Sequence, residues 1–342
     1  HVEERLMKGI PPLPLDIEQT TFVCETIKKG SSDDDDFLLS LLKNRVSPGV
    51  DPSARVKADF LGDIINGKIE TPLISQSNAV EILGTMVGGY NVSHLVKAFS
   101  KSELATDVIR TLSKITLVYE HFEKVVELSK NNLAAKKVIE NWANAEWFTS
   151  KEPLKDKIVV KVFKVDGEIN TDDFSPASDA VTRPDIPLHA ISMGKSRFPG
   201  GLETIAKFRK EGFKVAFVGD VVGTGSSRKS ACNSLLWHIG EDIPFIPNKR
   251  RNGIVIGGVI APIFFNTVQD SGGIPIIADV SKLKMGDVIT IYTKEGCIRN
   301  EAGEVISNFK LTPNTILDDF RAGGRITNII GKALTIKART VL

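Results

Sequence analysis

Two hydroxyls and a guanidinium stand side by side at Ser226-Ser227-Arg228, directly after Gly223-Thr-Gly225. The glycines let the backbone bend tightly and come close to a ligand. The run Lys214–Gly219 before them reads as a buried strand, and Ser227–Ile239 after them reads as a helix. A helix N-terminus presents free N–H groups and the positive end of its dipole, so a turn of this kind suits an anion. An ordinary strand-to-helix turn needs only one serine as a cap. Two glycines, two serines and an arginine together point to an anion site.

The glycine spacing narrows the choice of anion. The phosphate-loop motif G-x-x-x-x-G-K-[ST] is absent. Gly223-Thr-Gly225-Ser-Ser-Arg228 begins like a dinucleotide fingerprint, but an arginine replaces the third glycine. The nearest downstream acids, Glu241 and Asp242, follow a helix rather than a second strand. A nucleotide-binding enzyme is therefore disfavoured. Arginine at the third place suits a carboxylate, which its planar fork grips bidentately.

Val218-Gly-Asp-Val-Val-Gly-Thr-Gly-Ser-Ser-Arg-Lys-Ser230 resembles the Gly-Ser-Ser-Arg loop of the aconitase family, in its bacterial B form, and Lys229-Ser230 agrees with that form. Asn170-Thr-Asp-Asp-Phe-Ser-Pro-Ala177, Arg183-Pro-Asp-Ile-Pro187, Ala261-Pro-Ile-Phe-Phe-Asn266 and Leu83-Gly-Thr-Met-Val-Gly-Gly-Tyr-Asn91 resemble further segments of the same family. The resemblance covers nearly the whole chain and implies a helical HEAT-like domain over residues 1–150, then a three-layer β/β/α swivelling domain over residues 157–342. It implies dehydration of citrate and isocitrate through cis-aconitate, and leaves open whether 2-methylisocitrate is also used. It gives the base role to Ser226 and substrate contacts to Ser226, Ser227, Arg228 and Arg183. Asp172 falls in the matching Thr-Asp segment without a defined role. Arg183, before Pro184, reads equally as a surface arginine, and Asp172 and Asp173 as turn caps.

Such a dehydration needs a base for the carbon-bound proton, a Lewis acid for the departing hydroxide and fixed cations for the carboxylates. The family's Lewis acid is a [4Fe–4S] cluster held by three cysteines, two of them in a C-x-x-C pair. No C-x-x-C occurs here, and Cys24, Cys232 and Cys297 match none of the cluster ligands. The sequence thus reads as an N-terminal fragment, inactive alone and binding no cluster, whose partners include the remaining aconitase domains. The family also implies a homodimer through the helical half and a messenger-RNA-binding role. An interaction module is accordingly the second reading, with Lys249-Arg250-Arg251 as a short basic run for phosphates or a plain solvated loop.

The elements that must position these residues follow from length and patterning. The chain has 342 residues, 42% of them apolar, and a net charge of +2, which suits two soluble domains. No signal-peptide pattern and no apolar run of membrane-spanning length is present, and three dispersed cysteines suggest reduced thiols in the cytoplasm.

Residues 1–150 read as successive helices. One is capped by an Asp16/Gln19 box and ended by Gly30. An acidic break, Ser31–Asp36, precedes a helix over Phe37–Asn44. The next is opened by Asp51-Pro52 and stopped at Gly67, and others cover about 75–85, 91–99, 102–130 and 132–148. His94 and His121 read as lone core or surface histidines. Trp142 and Trp147 read as docking residues, or as a stacking platform for RNA bases. Thr149–Asp156 reads as the linker.

Beyond it the expected order is a strand over Ile158–Val165, an irregular loop over Asn170–Pro187 and a helix over Leu202–Arg209. After the strand–loop–helix unit come a strand at Gly253–Gly257, a helix at Ala261–Asp270 and a strand at Ile274–Val280. Hairpin strands then fill Gly286–Leu311, followed by a helix near Asn314–Arg321 and a last strand at Ala333–Lys337.

Overall fold

The computed structural model describes residues 2–30 and 33–342. A helical region precedes a mixed α/β region, and the chain forms two compact units. One holds the chain up to Pro12, Glu152–Ile243 and Asn248–Asn328. The other holds Leu13–Lys151, Pro244–Pro247 and Ile329–Leu342.

In the α/β unit, nine strands run β1 Lys157–Asn170, β2 Lys214–Thr224, β3 Glu241–Asp242, β4 Arg250–Arg251, β5 Ile254–Ile260, β6 Ile274–Ile277, β7 Val288–Tyr292, β8 Cys297–Arg299 and β9 Val305–Asn308. Seven of them form one sheet in the order β6-β5-β2-β1-β7-β8-β9. The β6, β5, β2 and β1 neighbours pair in parallel; β7, β8 and β9 continue antiparallel from β1. β2 is buried on both faces, as parallel strands under crossover helices must be. Val215 and Phe217 face a core built with the helices Gly201–Lys210, Lys229–Ile239 and Pro262–Asp270, while Ala216 and Val218 face a second core with Val160, Ile256 and Ile289.

The segment Asn170–Pro187, expected to be irregular, is a chain of short helical turns at Thr171–Phe174, Ala177–Thr182 and Ile186–Ala190. Polar caps make this local order: Asn170 and Asp173 form a reciprocal capping box, and Asp185 accepts from the Leu188 N–H. The expected last strand at Ala333–Lys337 lies inside a helix, Arg325–Val341. Its buried positions are Asn328, Gly331, Leu334, Thr335 and Ala338, a helical spacing obscured in sequence because three of them are asparagine, glycine and threonine.

In the helical unit, the Ile17–Lys29 helix carries the Asp16/Gln19 box and ends at Gly30, and Pro52–Ile65 starts from Asp51. Of the acidic break, Ser31 and Ser32 lie outside the described residues; the helix after it runs Asp35–Asn44 with two acids in its first turn. The single helix expected at 102–130 is broken into Ser102–Leu104, Ala105–Leu112 and His121–Ser129. Leu112, Ile115, Val118 and Phe122 are all buried, but the chain reverses at Tyr119, whose φ is +46°, so turns rather than a helix carry their spacing. The stretch 132–148 likewise divides into Leu133–Ala143 and Glu146–Thr149, around Ala145 at φ +56°. Trp142 stacks on Phe122 and donates to the Leu112 carbonyl; Trp147 donates to Thr335 Oγ1 and packs on Gly331. Both indoles are fully buried, so neither offers a face to a nucleic-acid base.

One cation sits inside this core. Lys57 is 2% exposed, and its ammonium reaches the Lys43 carbonyl at 3.3 Å. Burial pulls its pKa down to about 8 from 10.5, against a smaller opposing pull from Cys24. Below pH 8 both folded and unfolded chains hold this proton and the desolvation cost is fully present. Between pH 8 and 10.5 the unfolded chain keeps the proton that the folded chain has released, so stability should rise with pH. Urea unfolding of the helical unit across pH 7–10 should show this rise. Lys57→Met should flatten it and stabilise the unit at neutral pH by up to about 3 kcal/mol.

Candidate functional site

The carboxyl ends of three adjacent parallel strands, β5, β2 and β1, carry the candidate residues. In open α/β sheets ligands collect at such ends. β1 runs into Thr171–Phe174, β2 into the Gly225–Arg228 loop and β5 into Pro262–Asp270. Asn170 pairs with Thr224 in the last register position of β1 and β2, which sets the two loops side by side. Thr171 Oγ1 then donates to the Ser226 carbonyl at 2.8 Å, and Thr224 Oγ1 to Glu168 at 2.6 Å.

Strand β2 extends to Thr224, and the following helix begins at Lys229, with Arg228 as its N-cap residue. Ser226 and Ser227 therefore precede the helix in an exposed loop instead of opening it, a correction to the helix expected from Ser227. Among the described residues, neither serine hydroxyl has a hydrogen-bond partner within the chain. The N–H groups of Gly225, Ser226, Ser227 and Arg228 have none either. Four successive unpaired N–H groups are available to an anion. Gly225 holds φ +89° at the mouth of this loop. Gly223, at φ +81°, is also required by packing: a Cβ there would fall 2.2 Å from Phe264 Cγ. Phe264 in turn stacks on Phe174 with 5.4 Å between ring centroids. A cavity of about 220 Å³ opens between the loop and the start of the Pro262–Asp270 helix, lined by Thr171, Gly225, Ser226, Ser227, Arg228 and Ile263 among others.

The two arginines meet at one buried serine. Arg228 Nη1 pairs with Asp172 Oδ1 and donates to the Ser175 carbonyl at 3.1 Å. Arg183 Nε donates to Ser175 Oγ at 3.2 Å. Asp172 is half exposed and spends a carboxylate oxygen on Arg228. Among the described residues, Arg228 keeps its Nε and Nη2 edge without a partner, and Arg183 keeps both Nη groups. Each arginine is thus fixed by one edge and offers the remainder of its fork, the geometry for bidentate capture of a carboxylate.

Sequence reasoning brought out Asp172, Arg183, Ser226, Ser227 and Arg228, and the structure gathers all five into one region. It passed over Ser175, Thr182, His189 and Ser230, which support them. Ser175 Oγ lies 2.8 Å from His189 Nε2 and 2.8 Å from Ser230 Oγ, and His189 Nδ1 lies 2.7 Å from Thr182 Oγ1. Ser175 and Ser230 fall inside the quoted motifs. His189, a lone polar residue beside the buried Pro187 and Ala190, was the available signal for the rest.

The cysteines do not fit an iron–sulfur site. Cys24, Cys232 and Cys297 are each buried, and burial raises the first two thiols to about 12, far from the thiolate a cluster binds. Among the described residues no group of His, Cys, Asp or Glu is arranged to hold a metal ion. The basic run is also engaged: Arg250 stacks on Trp237 at 4.2 Å and pairs with Asp242 at 2.7 Å, and burial lowers the pKa of Lys249 and of Arg251. No described helix is long and apolar enough to cross a membrane.

Comparison with known proteins finds one family at both halves of the sequence. The family model described as "Aconitate B N-terminal domain" matches residues 1–148, and "Aconitate hydratase 2 N-terminus" matches residues 160–342. Curated relatives named aconitate hydratase B include those of Synechocystis sp., 55% identical over 344 residues, Helicobacter pylori, 54% over 343, and Escherichia coli, 49% over 354. Each alignment covers 100% of this chain but only 40%, 40% and 41% of the respective relative. The chain thus spans about two-fifths of the length of these relatives. Matched along its entire length and by a family model over more than half of it, the chain belongs to the aconitate hydratase B family.

Proposed function

We propose that this chain provides the base and the carboxylate grips of a citrate/isocitrate hydro-lyase acting through cis-aconitate. The observation that carries this reading is the Gly225–Arg228 loop: four unpaired N–H groups, two unpartnered serine hydroxyls and a half-free guanidinium around one cavity. Ser226 takes the carbon-bound proton as an alkoxide, which the adjacent N–H groups and Arg228 stabilise. Arg228 and Arg183 hold substrate carboxylates by their free edges, Ser227 adds one neutral hydrogen bond, and Asp172 aims Arg228. Loss of the hydroxyl needs a Lewis acid. The cysteines here do not fit a [4Fe–4S] cluster, so the reading assigns that group to the part of the longer relatives that this chain does not cover. Buried free thiols suit a reducing, cytoplasmic setting.

The two sequence regions are read as a HEAT-like docking domain at 1–150 and a three-layer swivelling domain at 157–342. Packed pairs such as Pro52–Ile65 with Gln76–Gly84, and His121–Ser129 with Leu133–Ala143, support the first reading. The mixed sheet with a core on each face supports the second. Self-association through the helical region would appear in sedimentation as a concentration-dependent dimer of the whole chain. Monomers at every accessible concentration would refute it.

Purified anaerobically and offered iron and sulfide, this chain alone should stay colourless and leave isocitrate unchanged. A visible cluster band with cis-aconitate formation would overturn the division of labour.

In the full-length protein, Ser226→Ala should lower kcat by roughly a hundred- to ten-thousand-fold and barely alter substrate binding, because only the proton acceptor is lost. Arg228→Lys keeps a charge but loses the fork, so KM and kcat should both worsen. Ser227→Ala should cost roughly 0.5–1.5 kcal/mol. A near-wild-type kcat for Ser226→Ala would remove Ser226 from the chemistry.

A further inference from the structure

Ser175 is fully buried and His189 is 1% exposed, yet neither takes part in the proposed chemistry. Their hydrogen bonds can be given directions by counting donors. Thr182 Oγ1 spends its only proton on the Asp179 carbonyl at 2.7 Å. It must therefore accept from His189 Nδ1–H, 2.7 Å away. In the neutral imidazole this leaves Nε2 as an acceptor, so Ser175 Oγ–H donates to it at 2.8 Å. The two lone pairs of Ser175 Oγ are then filled by Arg183 Nε–H and Ser230 Oγ–H. The Ser175 and Thr182 hydroxyl protons and both lone pairs of Ser175 Oγ are thus each used once, in one sense.

We propose that neutral His189, as its Nδ1–H tautomer, is a positioning residue that keeps Ser175 turned to accept from Arg183, so that protonating His189 weakens substrate-carboxylate binding. The proposal rests on the reading of Arg183 and Arg228 as the carboxylate grips. A protonated Nε2 would have to donate to Ser175 Oγ. The serine would then turn its own proton towards Ser230, and a second cation would lie against Arg183. Because the Ser175 carbonyl also receives Arg228, movement of Ser175 disturbs both arginines.

The surrounding charges favour the neutral form. Burial and then Arg183 lower the His189 pKa, against Asp179, which raises it and is itself paired with Lys195 at 3.5 Å. Asp185, at the start of the Ile186–Ala190 helix, is occupied by Arg5. The helix Lys229–Ile239, packed against it, contributes Lys229 and His238. His238 donates Nε2–H to the Ala190 carbonyl at 2.8 Å, and burial holds its pKa down to about 4.

Imidazole nitrogen NMR on the whole chain tests the cluster without any catalysis. His189 should appear as the Nδ1–H tautomer and His238 as Nε2–H. Thr182→Val should release the His189 tautomer, and Arg183→Ala should raise its titration midpoint. An Nε2–H His189, or a midpoint indifferent to Arg183→Ala, would overturn the proposal.

The functional arm uses the full-length protein with isocitrate. Wild-type KM should climb on the acid side beyond the rise seen in His189→Gln, whose amide keeps an acceptor but cannot titrate. The same comparison cancels the titration of the substrate itself. His189→Leu should raise KM roughly five- to tenfold across the range and leave kcat close to wild type. Thr182→Val should move KM in the same direction and serves if the leucine variant does not fold. If Arg183→Ala raises KM while both of these variants leave it unchanged, this inference fails and the carboxylate reading stands. If Arg183→Ala leaves KM unchanged, the carboxylate reading fails and takes the inference with it.

Discussion

The parallel pairing of β1 with β2, carried through two register shifts as far as Asn170 and Thr224, is the constraint from which the site follows. The two strands meet over a long ladder, and each leaves the sheet at the same level. The chain after Asn170 supplies Thr171, Asp172, Ser175 and Arg183; the chain after Thr224 supplies Ser226, Ser227, Arg228 and Ser230. Neither segment makes a site alone. A one-residue slip of a strand buried on both faces would exchange Val215 and Phe217 with Ala216 and Val218 between two different cores. Packing on both sides of the sheet thereby fixes the meeting of the two loops.

This dependence explains what could be read from the sequence. The loop was legible because its chemistry is local: glycines, serines and arginine lie within six residues, and strand, loop and helix follow in order. Asp172 and Arg183 were legible through family motifs rather than geometry. The support under them was not. Ser175 and His189 are 14 residues apart and meet only because three short turns fold the segment back. Turns of four to six residues carry too little periodicity to be seen. The misread elements share a cause. Arg325–Val341 buries a glycine and a threonine among its packed positions, and the helix expected at 102–130 contains apolar spacing that turns satisfy as well as a helix does.

Two buried polar clusters of the α/β unit contrast with the exposed loop. Asp319 accepts from Gln269 at 2.6 Å, Asn328 at 2.6 Å and Thr315 at 3.0 Å, although Gln269 Oε1 and Asn328 Oδ1 themselves accept nothing, and Ser175 Oγ is filled by His189, Arg183 and Ser230. Buried groups without partners cost roughly 1–3 kcal/mol each, so such pairing is what a stable interior requires. The loop at Gly225–Arg228 departs from this rule at its main-chain donors, and it does so at the surface, where water can satisfy them.

That exposure decides how much the loop can do by itself. In water the unpaired N–H groups and guanidinium edges stabilise an anion weakly, because solvent competes for every donor and screens each charge. Shielded from water, the same donors gain strength severalfold while their directions stay fixed by Thr171, Asp172 and Ser175. A site prepared in this way is tied at the Ser226 carbonyl and at Arg228 before it is covered. The loop, the arginine edges and the buried serine–histidine support already hold their geometry, and what covering adds is the low-dielectric surroundings in which that geometry acts.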